Sequence, residues 1–265
     1  MTLRKLVEMF HEVRVLVTGD PMLDIYHHGT VDRLSPEAPA PVFVETGSRT
    51  LPGGAANVYE QLEQLNVDAE HHFPKQWWTE KHRYLVNGQQ LFRIDKDMHH
   101  YAEGMPNLTS IDAIVMSDYG KSWLGADYCR SLIAEARKHH IPVVVDPKGT
   151  GWAKFDGCTV ICPNEVEAKN PEIKAFDVVL YKKGAQGLLL KDHTWEHAFP
   201  AVARQVYDVT GAGDTVVATV AAVLACGGNL HEAARLANIA AGAVVGKRGT
   251  ATVTNDELLD LVGNQ

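Results

Sequence analysis

The chain has 265 residues, enough for one large or two small domains around a sizeable core. Its composition, 45% hydrophobic and 22% charged, is that of an ordinary globular protein, with no apolar run long enough to span a membrane. A net charge of -8, from 33 acidic and 25 basic residues, argues against nucleic acid as the main partner, because binding a phosphate backbone needs a basic surface.

The N-terminal residues carry no apolar leader segment, so a cytoplasmic location is expected. The first strand is expected at Val13 to Thr18, an apolar run ending in Gly19-Asp20. Ile25 to Thr50 alternates polar and apolar residues and is broken by Pro and Gly, as is Lys81 to Asp95. Both read as antiparallel strands with one wet face, standing apart from the main sheet. Ile111 to Met116, Pro142 to Val145, Thr159 to Cys162 and Ala175 to Leu180 repeat the pattern of the first strand. A helix is expected over Asp127 to His139, and three more over Thr215 to Cys226, Leu230 to Val245 and Asp256 to Val262. Strands alternating with helices imply an α/β fold, a mostly parallel sheet covered on both faces. The alternating stretches 25–50 and 81–95 would form a lid over the strands' C-terminal edge, where open α/β sheets bind ligands, so residues 1–265 read as a single domain. Cys129, Cys158, Cys162 and Cys226 form no CxxC pair and are expected to be reduced and mostly buried. The adjacent pairs His27-His28, His71-His72, His99-His100 and His139-His140 have no metal-site spacing and are expected mostly at the surface.

The sharpest chemical signal is Val206-Tyr-Asp-Val-Thr-Gly-Ala-Gly-Asp-Thr215, followed by the apolar run Val216 to Leu224. Gly211, Ala212 and Gly213 can direct backbone N–H groups out of a helix N-terminus, where phosphate is favoured. Asp214 would repel that phosphate unless it faces the acceptor and takes a proton from an attacking hydroxyl. An anion cradle beside a base describes phosphoryl transfer, although a capped turn before a helix explains the same letters. Other clusters follow strand ends: Gly19-Asp20-Pro-Met-Leu-Asp24, Pro52-Gly53-Gly54-Ala-Ala-Asn57, Asn164-Glu-Val-Glu167 and Lys182-Lys-Gly-Ala-Gln-Gly187.

In this order these segments resemble the ribokinase-like (PfkB) carbohydrate kinases. Gly19 to Tyr26, Arg33-Leu-Ser-Pro-Glu-Ala-Pro-Ala-Pro41, Gln89-Gln-Leu-Phe-Arg-Ile-Asp95, Ser117-Asp-Tyr-Gly-Lys121, Asp146-Pro-Lys-Gly149 and Ala237 to Gly242 are similar to the heptose-7-phosphate kinase branch. The resemblance implies a three-layer α/β/α sandwich with a small β-sheet lid, ATP as co-substrate and Mg²⁺ as cofactor. It implies that Asp214 is the catalytic base and Gly211 to Gly213 the anion hole. Asp24, Gly53, Gly54 and Asn57 match sugar-binding positions, and Arg33, Gln90, Arg93 and Lys148 are candidates for the sugar and its 7-phosphate. Asn164, Lys182, Gly184, Gly187, Asn238 and Gly242 match the nucleotide site. Glu167 would organise Mg²⁺ through water, or Asn164 and Glu167 are a capping box. The acceptor would be D-glycero-beta-D-manno-heptose 7-phosphate, phosphorylated at its anomeric hydroxyl. Another sugar kinase or a non-catalytic sugar-phosphate binder stays open. A homodimer through the lid is a further expectation.

The chain departs from this pattern in three places. Only Leu65 to Glu80, with His71, His72, Trp77 and Trp78, stands where a strand, turn and helix are expected. A second helix is missing between Glu167 and Lys182, and the uncovered sheet would need tryptophans or a partner over it. Lys182 and Lys183 replace a threonine-containing nucleotide motif. Within the 265 residues no counterpart of the nucleotidyltransferase domain of bifunctional members of the branch is expected.

Overall fold

Apolar runs too short for helices become the strands of a central sheet in the computed structural model, which describes residues 1–76, 78–202, 209–247 and 251–263. In chain order, α1 (Leu3–Glu8) leads into β1 (Arg14–Gly19), the hairpin β2 (Pro21–Leu34) and β3 (Pro41–Gly54), then α2 (Ala55–Gln64) and β4 (Asp68–His72). A second hairpin, β5 (Thr79–Val86) and β6 (Gln89–Lys96), precedes β7 (Ala113–Ser117), α3 (Ala126–Lys138), β8 (Val143–Asp146), β9 (Val160–Ile161) and β10 (Val178–Lys182). The last part comprises β11 (Leu188–Asp192), β12 (Glu196–Phe199), α4 (Ala212–Ala225), α5 (Leu230–Val245) and α6 (Asn255–Gly263).

The large sheet has the order β12-β11-β10-β9-β8-β7-β1-β4. The strands from β4 to β10 are parallel, and β11 and β12 close one edge antiparallel. β7 and β8 are buried along their whole length, as expected of parallel strands covered on both faces. Helix α4 is buried from Asp214 to Val223 and packs on α2, α5, β7 and β8, which is why its sequence is apolar all round. Because β1, β7, β8 and β10 run the same way, Asp20, Asp118, Asp146 and Lys182 arrive at one edge of the sheet.

The small sheet has the order β3-β2-β5-β6 and extends the expected ranges to 21–54 and 79–96. Each hairpin is antiparallel, but its central pair β2–β5 is parallel, which corrects the antiparallel expectation. The chain returns through α2 and β4 between the hairpins, so both first strands leave the large sheet in the same direction. The single wet face is also corrected, since β6 is exposed at every position.

The shortened regions are closed by aromatic side chains. β4 is retained as an edge strand on β1, and the chain then runs to β5 without a helix. Phe73 stacks on His71 with ring centroids 4.4 Å apart and meets Trp78 edge-on, while Trp78 Nε1 donates to Pro74 O at 2.6 Å. Trp77 lies outside the described residues. Between β9 and β10, 3₁₀ turns at Glu167–Lys169 and Pro171–Ala175 replace a helix, beside fully buried Trp152 and Phe155. The cysteines are free and three are buried. The histidines are not all at the surface: His27, His72 and His82 are half-buried, and His27 Nε2 lies 2.9 Å from His82 Nδ1 across the β2–β5 pair.

Gly54 joins the small sheet to α2 at φ 57°. A Cβ there would stand 2.4 Å from the carbonyl oxygen of Asp20, which accepts from Ala55 N at 3.0 Å. Gly54→Ala is expected to cost roughly 1–3 kcal/mol, read as a lower melting temperature. A variant that melts with the wild type would show that this junction relaxes freely.

Candidate active site

Asp214 lies in the first turn of α4, after Gly211, whose φ of 83° supplies the left-handed step into the helix. The residue is 8% exposed, and its carboxylate is held by two side chains from other elements. Asn57 of α2 donates through Nδ2 to Oδ2 at 2.5 Å, and the Tyr119 hydroxyl donates to Oδ1 at 3.2 Å. Burial raises the Asp214 pKa above the ordinary carboxylate range, opposed by Asn57, Lys182 and Tyr119.

The loop carrying Tyr119 is anchored by Asp20, whose carboxylate accepts from the backbone N–H groups of Tyr119 (2.8 Å), Lys121 (3.0 Å) and Trp123 (3.1 Å). One of the two carboxylates after the first strand is therefore occupied as a loop anchor. The other, Asp24, accepts from Arg83 Nε at 3.1 Å and Nη2 at 2.7 Å, and lies against Gly53, where a Cβ would be 2.7 Å from its Oδ2.

Asp146 at the end of β8 is ion-paired to Lys182 at the end of β10. Burial pushes Asp146 up to about 6, with Lys182 opposing that rise. Burial pulls Lys182 down, but Asp146 outweighs it and holds the ammonium above its ordinary value. A Cβ on Gly213 would come within 3.4 Å of Lys182 Nζ, so this ammonium lies against the turn that opens α4.

Asp214, Gly211, Ala212 and Gly213 line a cavity of about 590 Å³, within the range of small-molecule sites. Lys148, Asn164, Glu167 and Lys182 give it a charged side, and Gly184, Gly187, Asn238 and Gly242 line it from the β10–β11 turn and α5. Asn164 and Glu167 form the reciprocal hydrogen bonds of the capping reading. Asn164 Oδ1 accepts from Val166 N (2.9 Å) and Glu167 N (3.0 Å), and Asn164 N donates to Glu167 Oε2 at 2.8 Å, a capping box. Glu167 nonetheless lines the cavity, and its Oε1 accepts from Lys148 Nζ at 2.8 Å. Asn238 Nδ2 donates to Pro200 O at 2.8 Å.

Three expected positions are not brought to Asp214. Arg33 is exposed near the far end of β2, Gln90 is exposed and accepts from Arg83 at 3.4 Å, and Arg93 pairs with Asp95 at 2.7 Å. Gly54 and Asn57 adjoin Tyr119 and Asp214 instead. Residues 206–208 of the motif before α4 lie outside the described residues. The residues that sequence reasoning left without a role are Tyr119, Asp146, Lys81 and Arg83. A carboxylate directly after an apolar strand was the available signal for Asp146.

Among the described residues, no group of three or more His, Cys, Asp or Glu side chains is arranged to hold a metal, and no helix is long and apolar enough to cross a membrane.

Residues 54–257 match the family model described as pfkB family carbohydrate kinase. This chain belongs to that family. Among curated relatives, the pfkB-family chain is 36% identical over 317 residues to the bifunctional protein HldE of Caulobacter sp. (strain K31), covering 98% of this chain and 65% of that protein. It is 38% identical to the bifunctional protein HldE of Alcanivorax borkumensis, covering 95% and 64%. The chain thus spans just under two thirds of the length of these relatives. The fold is that of ribokinase-like structures. The Arabidopsis thaliana ribokinase complexed with ribose and ATP superposes with a TM-score of 0.74 at 18% identity, covering 94% of this chain and 98% of that one. The Thermotoga maritima ribokinase gives 0.72 at 18% identity, covering 95% and 99%.

Proposed function

We propose that this carbohydrate kinase transfers the terminal phosphoryl group of ATP to the anomeric hydroxyl of a heptose 7-phosphate. One observation carries the reading: a buried carboxylate, fixed by Asn57 and Tyr119, at a helix N-terminus on the wall of a nucleotide-sized cavity. Asp214 accepts the proton of the acceptor hydroxyl while N–H groups at Gly211 to Gly213 hold the transferred phosphoryl oxygens. The heptose acceptor is supported by the HldE relatives and by the motifs shared with that branch.

Lys182, Gly184, Gly187, Asn238 and Gly242 bind ATP in this reading, and Lys182 meets a phosphate as a point charge. Glu167, positioned by Asn164, fits Mg²⁺ through water, because that ion uses one or two carboxylates beside substrate phosphates rather than a cage of protein ligands. Bound there, Mg²⁺ neutralises phosphate charge. Residues 1–265 act as one kinase domain with the small sheet as its lid, closing over the acceptor and excluding water. Exposed Phe92 and Ile94 on that sheet suit pairing with a second copy.

The test is ADP release with Mg·ATP and heptose 7-phosphate, beside unphosphorylated heptose, hexoses and pentoses. Heptose 7-phosphate-dependent ADP is expected. Turnover of a different sugar reassigns the acceptor, and silence with every sugar, from folded protein, overturns the kinase reading.

A further inference from the structure

The face of the small sheet that carries Asp24 is built from charge. Asp24 of β2 is the register partner of Lys81 in β5, and Lys81 is the partner of Asp95 in β6. Arg83, two residues on, stays on this face: it grips Asp24 and lies over the Tyr26 ring. Its register partner is Arg93. Three cations therefore share the face with two carboxylates. Arg83 is paired to Asp24 and Arg93 to Asp95, each at 2.7 Å. Lys81 is left over. Its half-buried ammonium has no carboxylate within ion-pairing distance among the described residues. It lies 5.3 Å from the centroid of the Tyr119 ring, whose hydroxyl is on Asp214.

We propose that Lys81, the cation of this face left without a carboxylate, forms an anion subsite beside Asp214 that takes the phosphate group the acceptor already carries. The site concerns the acceptor and not the nucleotide, because Lys81 is on the small sheet, whereas the cavity is walled by α4, α5 and the ends of β8 and β10. Burial lowers the Lys81 pKa and marks an ammonium short of solvent, which an arriving dianion would satisfy. In a chain of net charge -8 the overall field repels such a dianion, so a local surplus cation has to select it. The subsite also replaces the expected phosphate contacts. Arg33 is exposed toward the far end of β2, and Arg93 is already committed to Asp95. What reacts at Asp214 rests on the kinase reading, but the subsite itself does not.

Calorimetric titration tests it, with heptose 7-phosphate, unphosphorylated heptose and inorganic phosphate as probes. Wild-type protein is expected to bind the phosphorylated sugar roughly 10- to 100-fold more tightly than the neutral one. Lys81→Met is expected to abolish that preference, Lys81→Arg to keep most of it, and neither to change KM for ATP. Arg93→Gln frees Asp95 to pair with Lys81, so an intermediate loss is expected. Inorganic phosphate should compete with heptose 7-phosphate in the wild type and not in Lys81→Met. Melting temperatures separate a folding defect from lost binding. A preference that survives in folded Lys81→Met, the absence of any preference in the wild type, or a rise in KM for ATP alone overturns the subsite. Phosphate binding through Lys81 without ADP release keeps the subsite and defeats the kinase reading, and ADP release indifferent to Lys81 does the reverse.

Discussion

Replacing Asp214 by Asn is expected to lower kcat by a factor on the order of 10²–10⁴ while leaving the fold intact. The amide has the same shape: its oxygen can accept from Asn57 Nδ2 while its NH2 donates to the Tyr119 hydroxyl oxygen, so both neighbours keep a partner. Stability should hold or rise. Burial raises the pKa of Asp214 in the folded state, so the folded protein holds this proton more tightly than the unfolded chain does. The ionised form is then a destabilising element that appears as pH rises through the unfolded pKa, and a neutral amide removes it. The same shift sets the pH dependence of the reaction. A protonated Asp214 cannot accept the acceptor's proton, so kcat/KM should fall toward acid with a limb above the ordinary aspartate range. In Asp214→Asn that limb should be gone from the residual rate. A variant that turns over like the wild type, or a wild-type limb at the ordinary aspartate value, would remove Asp214 from the chemistry.

What could be read in advance follows from the physical range of each signal. The strands β1, β7 and β8 are runs of apolar residues buried on both faces, a pattern complete within a few residues. Helix α4 was equally legible, because the Gly-Ala-Gly-Asp turn and the apolar run behind it are contiguous. The site was less so. Asp146 is the polar end of β8 and Tyr119 stands in the polar loop after β7, and in one sequence such residues cannot be told from turn formers. Only the parallel alignment of β7 and β8 brings both beside α4. Arg33 shows how sequence distance differs from distance in the fold. It is near Asp24 in sequence, but both lie in β2, where nine residues of extended chain span about 30 Å. The parallel β2–β5 pairing depends on the intervening passage through α2 and β4, a long-range event that strand alternation does not encode. The loss of crossover helices was legible from length, whereas the aromatic closure by Phe73 and Trp78 needed the fold.

Lys182→Met is expected to have the largest effect on stability. Lys182 and Asp146 are 11% and 10% exposed at their side chains, and the substitution leaves a buried carboxylate without its cation. Breaking one partner of such a pair costs about 3–5 kcal/mol, a fall of roughly 10 °C in melting temperature for a chain of this size. The deficit should depend on pH. Burial already pushes Asp146 up to about 6, so stability falls as pH rises from the unfolded aspartate value through that point. Without Lys182 the carboxyl rises further, and the loss extends to higher pH; Lys182→Met should therefore be closer to wild type at pH 5 than at pH 8. The double variant Asp146→Asn/Lys182→Met buries no charge at this place and should recover most of the stability. It should not recover ATP affinity if the ammonium against Gly213 binds a phosphate, since no neutral pair replaces that charge. Stability restored together with ATP affinity would make the pair a structural element alone. Stability restored with ATP affinity still lost would separate the two roles of Lys182, one toward Asp146 and one toward the nucleotide.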